Sequence, residues 1–467
     1  MGGICKLEMV YICPVLTSRE RVIRVVGFLF AALAAVQVVR LTVFSVDPSR
    51  TGAAVYPFDQ FYVQHSCLSA YFQAAKLGQA RVPNLYDETL YAGSLDRFHI
   101  DPYLYPPQFL LLPASLLGIT ADFYRFRIFW FVFDLVLFLA ATLVVARWIG
   151  GLHGRTVLML TGLLIAAVPT AMTLQIGNFQ IVGFALAMLA MVLIESDFLV
   201  FGTALLAFAA ASKLFPGILV VWLAFQRRWR AVVWVFAWNV VLLLATALWF
   251  GWAPIRAFFQ YEMPRLSFPL HGPIDIVMTP FAGKIAALNY GVTSVVPKLR
   301  ALGWTSLGFG AFQTVRLVYL LLLIALFVRL RDAFSARWLD DAASFRLHQA
   351  QTWLALLNLA SVLSPFVPDV YAVIGTLWLL ILVVPEIRVT WSKVTALVLV
   401  WLALNVVAPL GPGLPEVGLV TRIIAGFLVQ SILIIVNVRV LLTANARSSG
   451  VERREVLVDR SAIASSG

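Results

Sequence analysis

Residues 22–44 read VIRVVGFLFAALAAVQVVRLTVF. A bilayer core needs roughly 20 apolar residues per helix, so this run predicts a membrane-spanning helix. Arg19, Arg21 and Arg24 lie on its leading side, and cations there favour entry from the cytoplasm. The run is too long for a signal-peptide core and lacks a convincing small-residue cleavage site, so we interpret it as a retained anchor. The residues that follow it are therefore expected on the outer face of the membrane.

Composition places the chain among membrane proteins. Of 467 residues, 61% are hydrophobic and 12% are charged, which leaves more apolar surface than a soluble domain can bury. The net charge of +12 suits nucleic acid less well than membrane lipids, because the cations lie in short clusters between apolar runs, as in cytoplasmic loops. These clusters are Arg147/Arg155, Arg227/Arg228/Arg230, Arg329/Arg331/Arg337/Arg346, Arg388/Lys393 and Arg439/Arg447/Arg453/Arg454.

Apolar runs recur along the chain and predict an all-α polytopic membrane protein. Residues 198–225 are too long for one span and short for two, and Lys213-Leu214-Phe215-Pro216 interrupts them. Proline removes a helix hydrogen bond and a lysine at mid-membrane is costly, so we expect two short helices with Lys213 at their outer junction. The other predicted spans are residues 22–45, 122–147, 156–174, 178–195, 230–252, 312–330, 349–364, 367–385, 393–410 and 417–442.

Residues 104–118 decide the topology. If they cross the membrane, Arg147 and Arg155 lie outside, against the charge rule. The pair Pro106-Pro107 instead suits a helix that begins abruptly at the interface, so we favour an interfacial or re-entrant segment. The result is about 12 spans with both termini cytoplasmic.

This topology predicts one membrane domain with a polar cytoplasmic tail, which we expect to be disordered. The domain covers residues 1–442, its outer loops cover about 46–121 and 253–311, and the tail covers 443–467. Nearly every unusual polar residue of the chain is then expected on the outer face. That convergence is the main functional signal of the topology.

Asp59 is the leading candidate for chemistry. It follows the first span within Tyr56-Pro57-Phe58-Asp59-Gln60-Phe61-Tyr62, and aromatic residues of this kind anchor at membrane interfaces. The simpler interpretation is a solvated loop carboxylate. A carboxylate that Tyr62 and its aromatic neighbours partly desolvate can instead act as general base toward a sugar or lipid hydroxyl.

The other outer-face polar residues each have a structural and a functional interpretation. Lys213 either snorkels to cap a helix end or binds a phosphate. Gln175 and Asn178 flank Gly177 in a segment that turn chemistry alone explains, with contact to a sugar hydroxyl as the minority view. Asp369 follows two prolines and either caps a helix or contacts substrate. Arg265, His271 and Asp275 are weaker candidates in the second loop.

Several signals are missing from the sequence. It contains no His/Cys cluster with metal spacing and no Gly-rich phosphate loop before a soluble helix, so neither a metal nor a nucleotide site is indicated. Cys5, Cys13 and Cys67 are too scattered for a disulfide framework. Predicted spans hold few charges, Asp134 being one, whereas transporters place polar residues at the midplane of inverted repeats. This pattern disfavours a transporter or lipid flippase, which is the rival interpretation. A purely structural protein is the third interpretation.

The chain resembles the polytopic glycosyltransferases of the GT-C superfold, and within it family 87. The resemblance extends over residues 20–385. Its motifs are individually short, but their order and spacing are specific. They are Asp59-Gln60-Phe61-Tyr62, Gly78 with Leu85-Tyr86-Asp87, Tyr105-Pro106-Pro107, Gly177-Asn178, Lys213-Leu214-Phe215-Pro216 before Arg227-Arg228-Trp229-Arg230, and Ser364-Pro365 with Asp369.

The resemblance implies transfer of a sugar from a polyprenyl-phosphate donor to a lipid-linked or glycan acceptor at the outer face of the plasma (inner) membrane, without a cofactor. The family's first-loop aspartate, matched by Asp59, is its catalytic base. Tyr62, Tyr105, Gln175, Asn178, Lys213, Arg265, His271 and Asp369 are the expected substrate-binding residues. Some members carry a histidine after the later Ser-Pro element, where this chain has Asp369 and Tyr371.

Overall fold

The computed structural model of the protein describes residues 18–267, 289–335, 342–364, 367, 369–386, 391–407 and 418–464. These ranges are almost entirely helical. Their strands form one antiparallel hairpin, in which Ser94–Leu95 pairs with Phe98–His99. The predicted all-α polytopic class is confirmed.

We label the α-helices of the described ranges α1 to α20 in chain order. They are α1 Ser18–Val46, α2 Gln60–Gln64, α3 Cys67–Gln79, α4 Leu111–Leu117, α5 Phe123–Ile149, α6 Gly151–Ala166, α7 Val168–Ile176, α8 Gln180–Glu195, α9 Leu199–Ser212, α10 Gly217–Phe225, α11 Trp229–Phe250, α12 Ala253–Ala257, α13 Met263–Ser267, α14 Val295–Ala301, α15 Phe309–Ser335, α16 Ala342–Ser361, α17 Asp369–Ala372, α18 Ile374–Val383, α19 Trp391–Leu402 and α20 Leu419–Ala464. Short 3-10 turns cover Thr51–Ala53, Glu88–Tyr91, Pro107–Leu110, Val292–Ser294 and Val384–Glu386, and π-helical turns cover Phe258–Glu262 and Ala403–Val407.

Five helices of the described ranges are long and apolar enough to cross a membrane, namely α1, α5, α11, α15 and α20. The pair α6 and α7 makes a sixth candidate, bent by 63°. The bend lies where Ala167 leaves the helical conformation just before Pro169, and proline cannot continue the hydrogen-bond ladder of the preceding helix. Several other predicted spans coincide with shorter apolar helices, so the count of about 12 spans and the GT-C arrangement stay predictions.

The described helices divide into a buried centre and an exposed perimeter. Helices α8, α16 and α18 are buried along most of their length. By contrast, α1, α11, α15 and α20 expose large apolar side chains such as Phe28, Leu248 and Leu322. A helix that is apolar all round is buried in protein or in lipid. The exposed set therefore forms the lipid-facing perimeter of the bundle.

Small residues let α1 approach α6 closely. A Cβ added at Gly27 would lie 2.5 Å from the backbone oxygen of Met159, and one at Gly162 would lie 2.5 Å from the backbone nitrogen of Ala31. Helices in membranes associate largely by van der Waals packing, so backbones that approach at glycine are typical of their interfaces. This contact fixes the direction in which α1 delivers the chain to the loops that follow.

The two ambiguous segments fold as expected. Residues 198–225 form α9 and α10 with Lys213 in the break between them. The segment near 104–118 forms a helical stretch over only Pro107–Leu117, about 16 Å at 1.5 Å per residue, which is too short to cross a bilayer core. A single crossing by this segment is thereby excluded, whereas the choice between interfacial and re-entrant is still a prediction.

The described part of the predicted tail is helical, whereas we expected disorder. Helix α20 continues through the predicted tail and ends at Ala464. Residues 443–464 are rich in Ala and Arg, which are strong helix formers, and a helix already nucleated by its membrane part extends at little cost.

Residues 47–122, which connect α1 to α5, form what we call the loop layer at one end of the bundle. Arginines of the predicted cytoplasmic clusters lie at the opposite end. There Arg228 pairs with Glu195, and Arg346 donates to the backbone oxygen of Trp148 at 3.0 Å. The bundle thus carries its basic clusters and its large connecting segment at opposite ends.

Candidate functional site

The turn between α7 and α8 builds the centre of the site. Gly177 ends α7 with φ of 69°, a left-handed conformation that glycine adopts at no steric cost. Asn178 follows, and its Oδ1 accepts from the backbone N–H of Gln180 at 2.9 Å, which caps the start of α8. The Gly-Asn turn chemistry expected from the sequence is therefore present, and it directs the Asn178 amide toward the loop layer.

Lys213 reaches this turn from the break between α9 and α10. Its Nζ donates to Oδ1 of Asn178 and to Oε1 of Gln180, both at 3.0 Å. The ammonium also lies 5.2 Å from the ring centroid of Tyr105 and 5.9 Å from that of Tyr371. Among the described residues, no carboxylate forms an ion pair with it. Burial lowers the pKa of Lys213, which lies outside both helices, to about 8.

A tyrosine cluster surrounds the ammonium. Tyr71 donates to the Tyr105 hydroxyl at 2.8 Å and accepts from the backbone N–H of Phe179 at 3.3 Å. The Tyr71 ring also packs edge-on against Phe109, with centroids 4.9 Å apart. Aromatic rings with hydroxyl groups bind sugars well because they offer apolar faces and hydrogen-bonding tips together. A cation beside such rings suits a sugar that carries a phosphate.

A second chain of polar groups lies on the other side of Tyr371. His65 Nδ1 lies 3.3 Å from Oδ2 of Asp101, and its Nε2 lies 3.8 Å from Sγ of Cys67. Cys67 Sγ is also 3.4 Å from the Tyr371 hydroxyl and accepts from Nδ2 of Asn178 at 3.2 Å. Burial lowers the pKa of His65, but the Asp101 carboxylate outweighs this effect and holds it well above the ordinary value.

Gln175 fastens the segment that carries Asp59. Its Oε1 accepts from the backbone N–H of Val55 at 2.6 Å, and its Nε2 donates to the backbone oxygen of Tyr62 at 3.0 Å. Gln175 is 3% exposed. Asp59 is half-buried just before α2, and its backbone N–H donates to the oxygen of Tyr56 at 3.2 Å. The amide therefore holds both ends of the turn around Asp59 against α7.

Arg265 lies away from Lys213 and forms ion pairs with two carboxylates. Its guanidinium contacts Glu88 of the loop layer and Glu262 of its own segment, the latter at 3.3 Å, and lies 4.7 Å from the ring centroid of Tyr261. Glu262 is fully buried, and burial raises the pKa of Glu262 to about 7 although Arg265 lowers it. Two acidic partners already compensate the Arg265 charge, so Lys213 is the better candidate for a phosphate.

The structure thus brings together Tyr105, Asn178 and Lys213 from the predicted set. Gln175 lies near the end of α7, before Asn178, and binds the backbone of Tyr62 in the first loop. His271 lies outside the described residues, and of Asp369 only the backbone, at the start of α17, is described. Sequence reasoning missed His65, Asp101 and Gln180. The spacing His65-Ser66-Cys67 was a visible signal, whereas Asp101 joins it only through folding.

Residues 103–365 match the model of glycosyltransferase family 87. This match covers more than half of the chain. The chain belongs to glycosyltransferase family 87. It is accordingly a membrane glycosyltransferase, with a sugar donor and an acceptor as its substrates. No curated protein and no solved structure gives a significant match.

Family membership favours the enzyme over the transporter and structural interpretations. The family 87 match includes Tyr105, Gln175, Asn178 and Lys213 and begins after the loop-layer residues Asp59 to Asp101. The site described above therefore combines a family-matched part on the helix ends with a part contributed by the first loop.

Proposed function

We propose that this family 87 glycosyltransferase moves a hexose or pentose from a polyprenyl-phosphate donor to a hydroxyl of a lipid-linked or glycan acceptor. The observation that carries the proposal is the ammonium of Lys213, held by amide oxygens and tyrosine rings without an acidic partner in the described residues. A lysine in such surroundings favours an anion, and a departing phosphate supplies one.

The leaving group explains why one carboxylate is sufficient. A phosphate monoester departs as a stable anion and needs no proton, whereas glycoside hydrolysis usually needs a second carboxylic acid to protonate the leaving oxygen. One general base near the acceptor hydroxyl and one cation near the phosphate then complete the chemistry. Direct attack by the acceptor inverts the anomeric centre, so the proposed enzyme is inverting and needs no cofactor.

Asp59 is the proposed base. The Gln175 amide supports this assignment because it joins the backbone on both sides of Asp59 to the helix end that leads into Asn178. A base and a phosphate-binding group that share one rigid frame keep their separation during the reaction, which is what orientation requires. Tyr62, Tyr105 and Asn178 are proposed to contact the sugar.

The proposed setting is a single GT-C-like catalytic domain over residues 1–442 in the plasma membrane, with the active site outside and both termini in the cytoplasm. The positions of the basic clusters support it. Arg228 and Arg346 lie at the end of the bundle opposite the loop layer, and basic residues favour the cytoplasmic side.

Purified full-length protein in lipid nanodiscs tests the proposal. The protein is incubated with polyprenyl-phosphate mannose, glucose or arabinose and a lipid-linked acceptor, and release of polyprenyl phosphate and formation of glycosylated acceptor are measured. Acceptor-dependent release from one donor supports the proposal. Transfer from a nucleotide sugar but from none of the polyprenyl-phosphate sugars would overturn the donor assignment.

A further inference from the structure

We propose that Cys67 is a nucleophilic thiol that His65 and Asp101 activate for covalent modification by small, uncharged carbon electrophiles. Asp101 Oδ2 lies 3.3 Å from Nδ1 of His65, and Nε2 on the other side of the same ring lies 3.8 Å from Sγ of Cys67. A carboxylate, an imidazole and a sulfur in this order form the arrangement that activates cysteine nucleophiles. The proposed function does not use any of the three.

The two ring nitrogens have different partners, which defines the direction of proton movement. Nδ1 donates its hydrogen to Asp101, so Nε2 is the nitrogen that takes the proton of the Cys67 thiol. The product is an imidazolium, which the Asp101 carboxylate stabilises, next to a thiolate. The ligand atoms of the three residues lie within 4.8 Å of one another. This spacing is also compatible with a metal ion, whereas proton transfer uses both ring nitrogens, one facing Asp101 and the other facing Cys67.

Three further features of the fold lie close to the sulfur. Cys67 is the first residue of α3, which has 13 residues, and the N-terminal end of a helix stabilises an adjacent anion. Asn178 donates to Sγ at 3.2 Å, and the Tyr371 hydroxyl lies 3.4 Å away. Together with the His65–Asp101 pair, four features of the fold thus converge on one sulfur atom.

The end of the array that carries Asp101 is partly exposed. The side chains of His65 and Asp101 are 19% and 27% exposed, whereas Cys67 itself is 9% exposed. In the reaction the thiolate attacks the electrophilic carbon, a carbon–sulfur bond forms, the leaving group departs with its electron pair, and His65 retains the proton. Iodoacetamide, which loses iodide, is a suitable probe.

Modification has a consequence for the site next to it. The adduct forms on the sulfur that Asn178 contacts, and Asn178 also holds Lys213. We therefore expect alkylated protein to lose sugar transfer, and a polyprenyl phosphate to slow alkylation. Only this consequence rests on the proposed function, because the adduct itself is measured without any activity.

The experiment uses full-length protein with Cys5 and Cys13 replaced by serine, which leaves Cys67 as its one cysteine. Iodoacetamide labelling is followed by intact-mass and peptide mass spectrometry at one fixed pH, beside a cysteine peptide as the free-thiol reference. We expect Cys67 to react roughly tenfold faster than the peptide, and His65→Gln and Asp101→Asn each to remove that advantage. His99→Gln, which changes an exposed histidine of the same loop layer, is the matched control and keeps the fast rate.

Size-exclusion profiles establish whether each variant is folded. If His65→Gln does not fold, Asp101→Asn provides the test. A Cys67 rate at or below that of the peptide overturns the proposal, and so does an unchanged rate in the folded variants. Fast labelling of Cys67 without loss of sugar transfer supports the reactive thiol and contradicts phosphate binding at Lys213. Loss of the fast rate together with intact transfer in His65→Gln also separates the two proposals.

Discussion

The ammonium of Lys213 and the amide oxygen of Asn178 lie 3.0 Å apart, although 35 positions of largely apolar sequence separate the two residues. Both lie at helix breaks, one before Pro216 and one after Gly177. A break frees the chain from the helix axis and lets a polar side chain point into a site. The candidate site takes these two central residues from such breaks.

Replacing Lys213 by methionine removes the charge and keeps the length of the side chain. We expect the KM for the donor to rise roughly tenfold to 100-fold, because a hydrogen bond to a charged group contributes about 1.5–3 kcal/mol. Transfer kinetics at varied donor concentration measure this. Lys76→Met, at an exposed lysine of α3, is the control, and equal KM values in the two variants would remove Lys213 from donor binding.

Asp59→Asn keeps the shape of the side chain and removes the proposed base. We expect transfer to fall roughly 10²- to 10⁴-fold, the usual contribution of general base catalysis, with membrane insertion and yield unchanged. Single-turnover transfer in nanodiscs measures the loss. The control is Asp47→Asn, at a surface ion pair with Arg50. Retention of most activity in Asp59→Asn contradicts the assignment.

Gln175→Ala removes both hydrogen bonds that fasten the segment around Asp59. Because it leaves the Val55 N–H and the Tyr62 oxygen without this partner, we expect a loss of about 1–3 kcal/mol in stability. We also expect kcat to fall while the KM for the donor changes little. Thermal unfolding and limited proteolysis near Arg50 measure the first effect and kinetics the second. Gln60→Ala, at an exposed position, should change neither, and unaltered proteolysis in Gln175→Ala would refute the fastening role.

Arg265→Ala should affect stability more than donor binding. It leaves the buried Glu262 and the loop-layer residue Glu88 without their shared cation, and loss of one partner of a buried pair costs about 3 kcal/mol. Thermal unfolding in detergent measures this, with the exposed Arg256→Ala as control. A large rise in the KM for the donor at unchanged stability would instead assign Arg265 to binding of the donor phosphate.

Glu262 makes the stability of the fold depend on pH. Its folded-state pKa is raised from 4.5 to about 7 by burial, so the folded protein keeps a proton that the unfolded chain releases. The contribution of Glu262 to stability is therefore fully present below pH 4.5, the ordinary pKa of the glutamate carboxyl, and is lost as the pH rises through about 7. We expect Glu262→Gln to flatten the dependence of the unfolding temperature on pH over this window. If the unfolding temperature depends on pH equally in the unaltered protein and in Glu262→Gln, another group causes the effect.

The apolar runs and the break at Lys213 could be predicted from the sequence because both follow from local composition, whereas the bend at Ala167 inside the predicted span 156–174 was not predicted. The run at residues 22–44 became α1, and Lys213-Leu214-Phe215-Pro216 became the break between α9 and α10. Proline, glycine and apolar periodicity act within a few residues of themselves. Beyond Leu442 the polar composition predicts disorder, whereas the structure continues α20 through this segment, which contains strong helix formers.

The sequence by itself determined the membrane class, the helix break at Lys213 and which polar residues were unusual for so apolar a chain. Only the tertiary structure decided which of them meet. In the structure Lys213 donates to two amide oxygens and Arg265 pairs with two carboxylates. Asp101 lies beside His65, which in turn contacts Cys67. Local sequence sets where a chain leaves a helix, but partners distant in sequence are chosen by how helices pack, and that depends on every contact in the bundle at once.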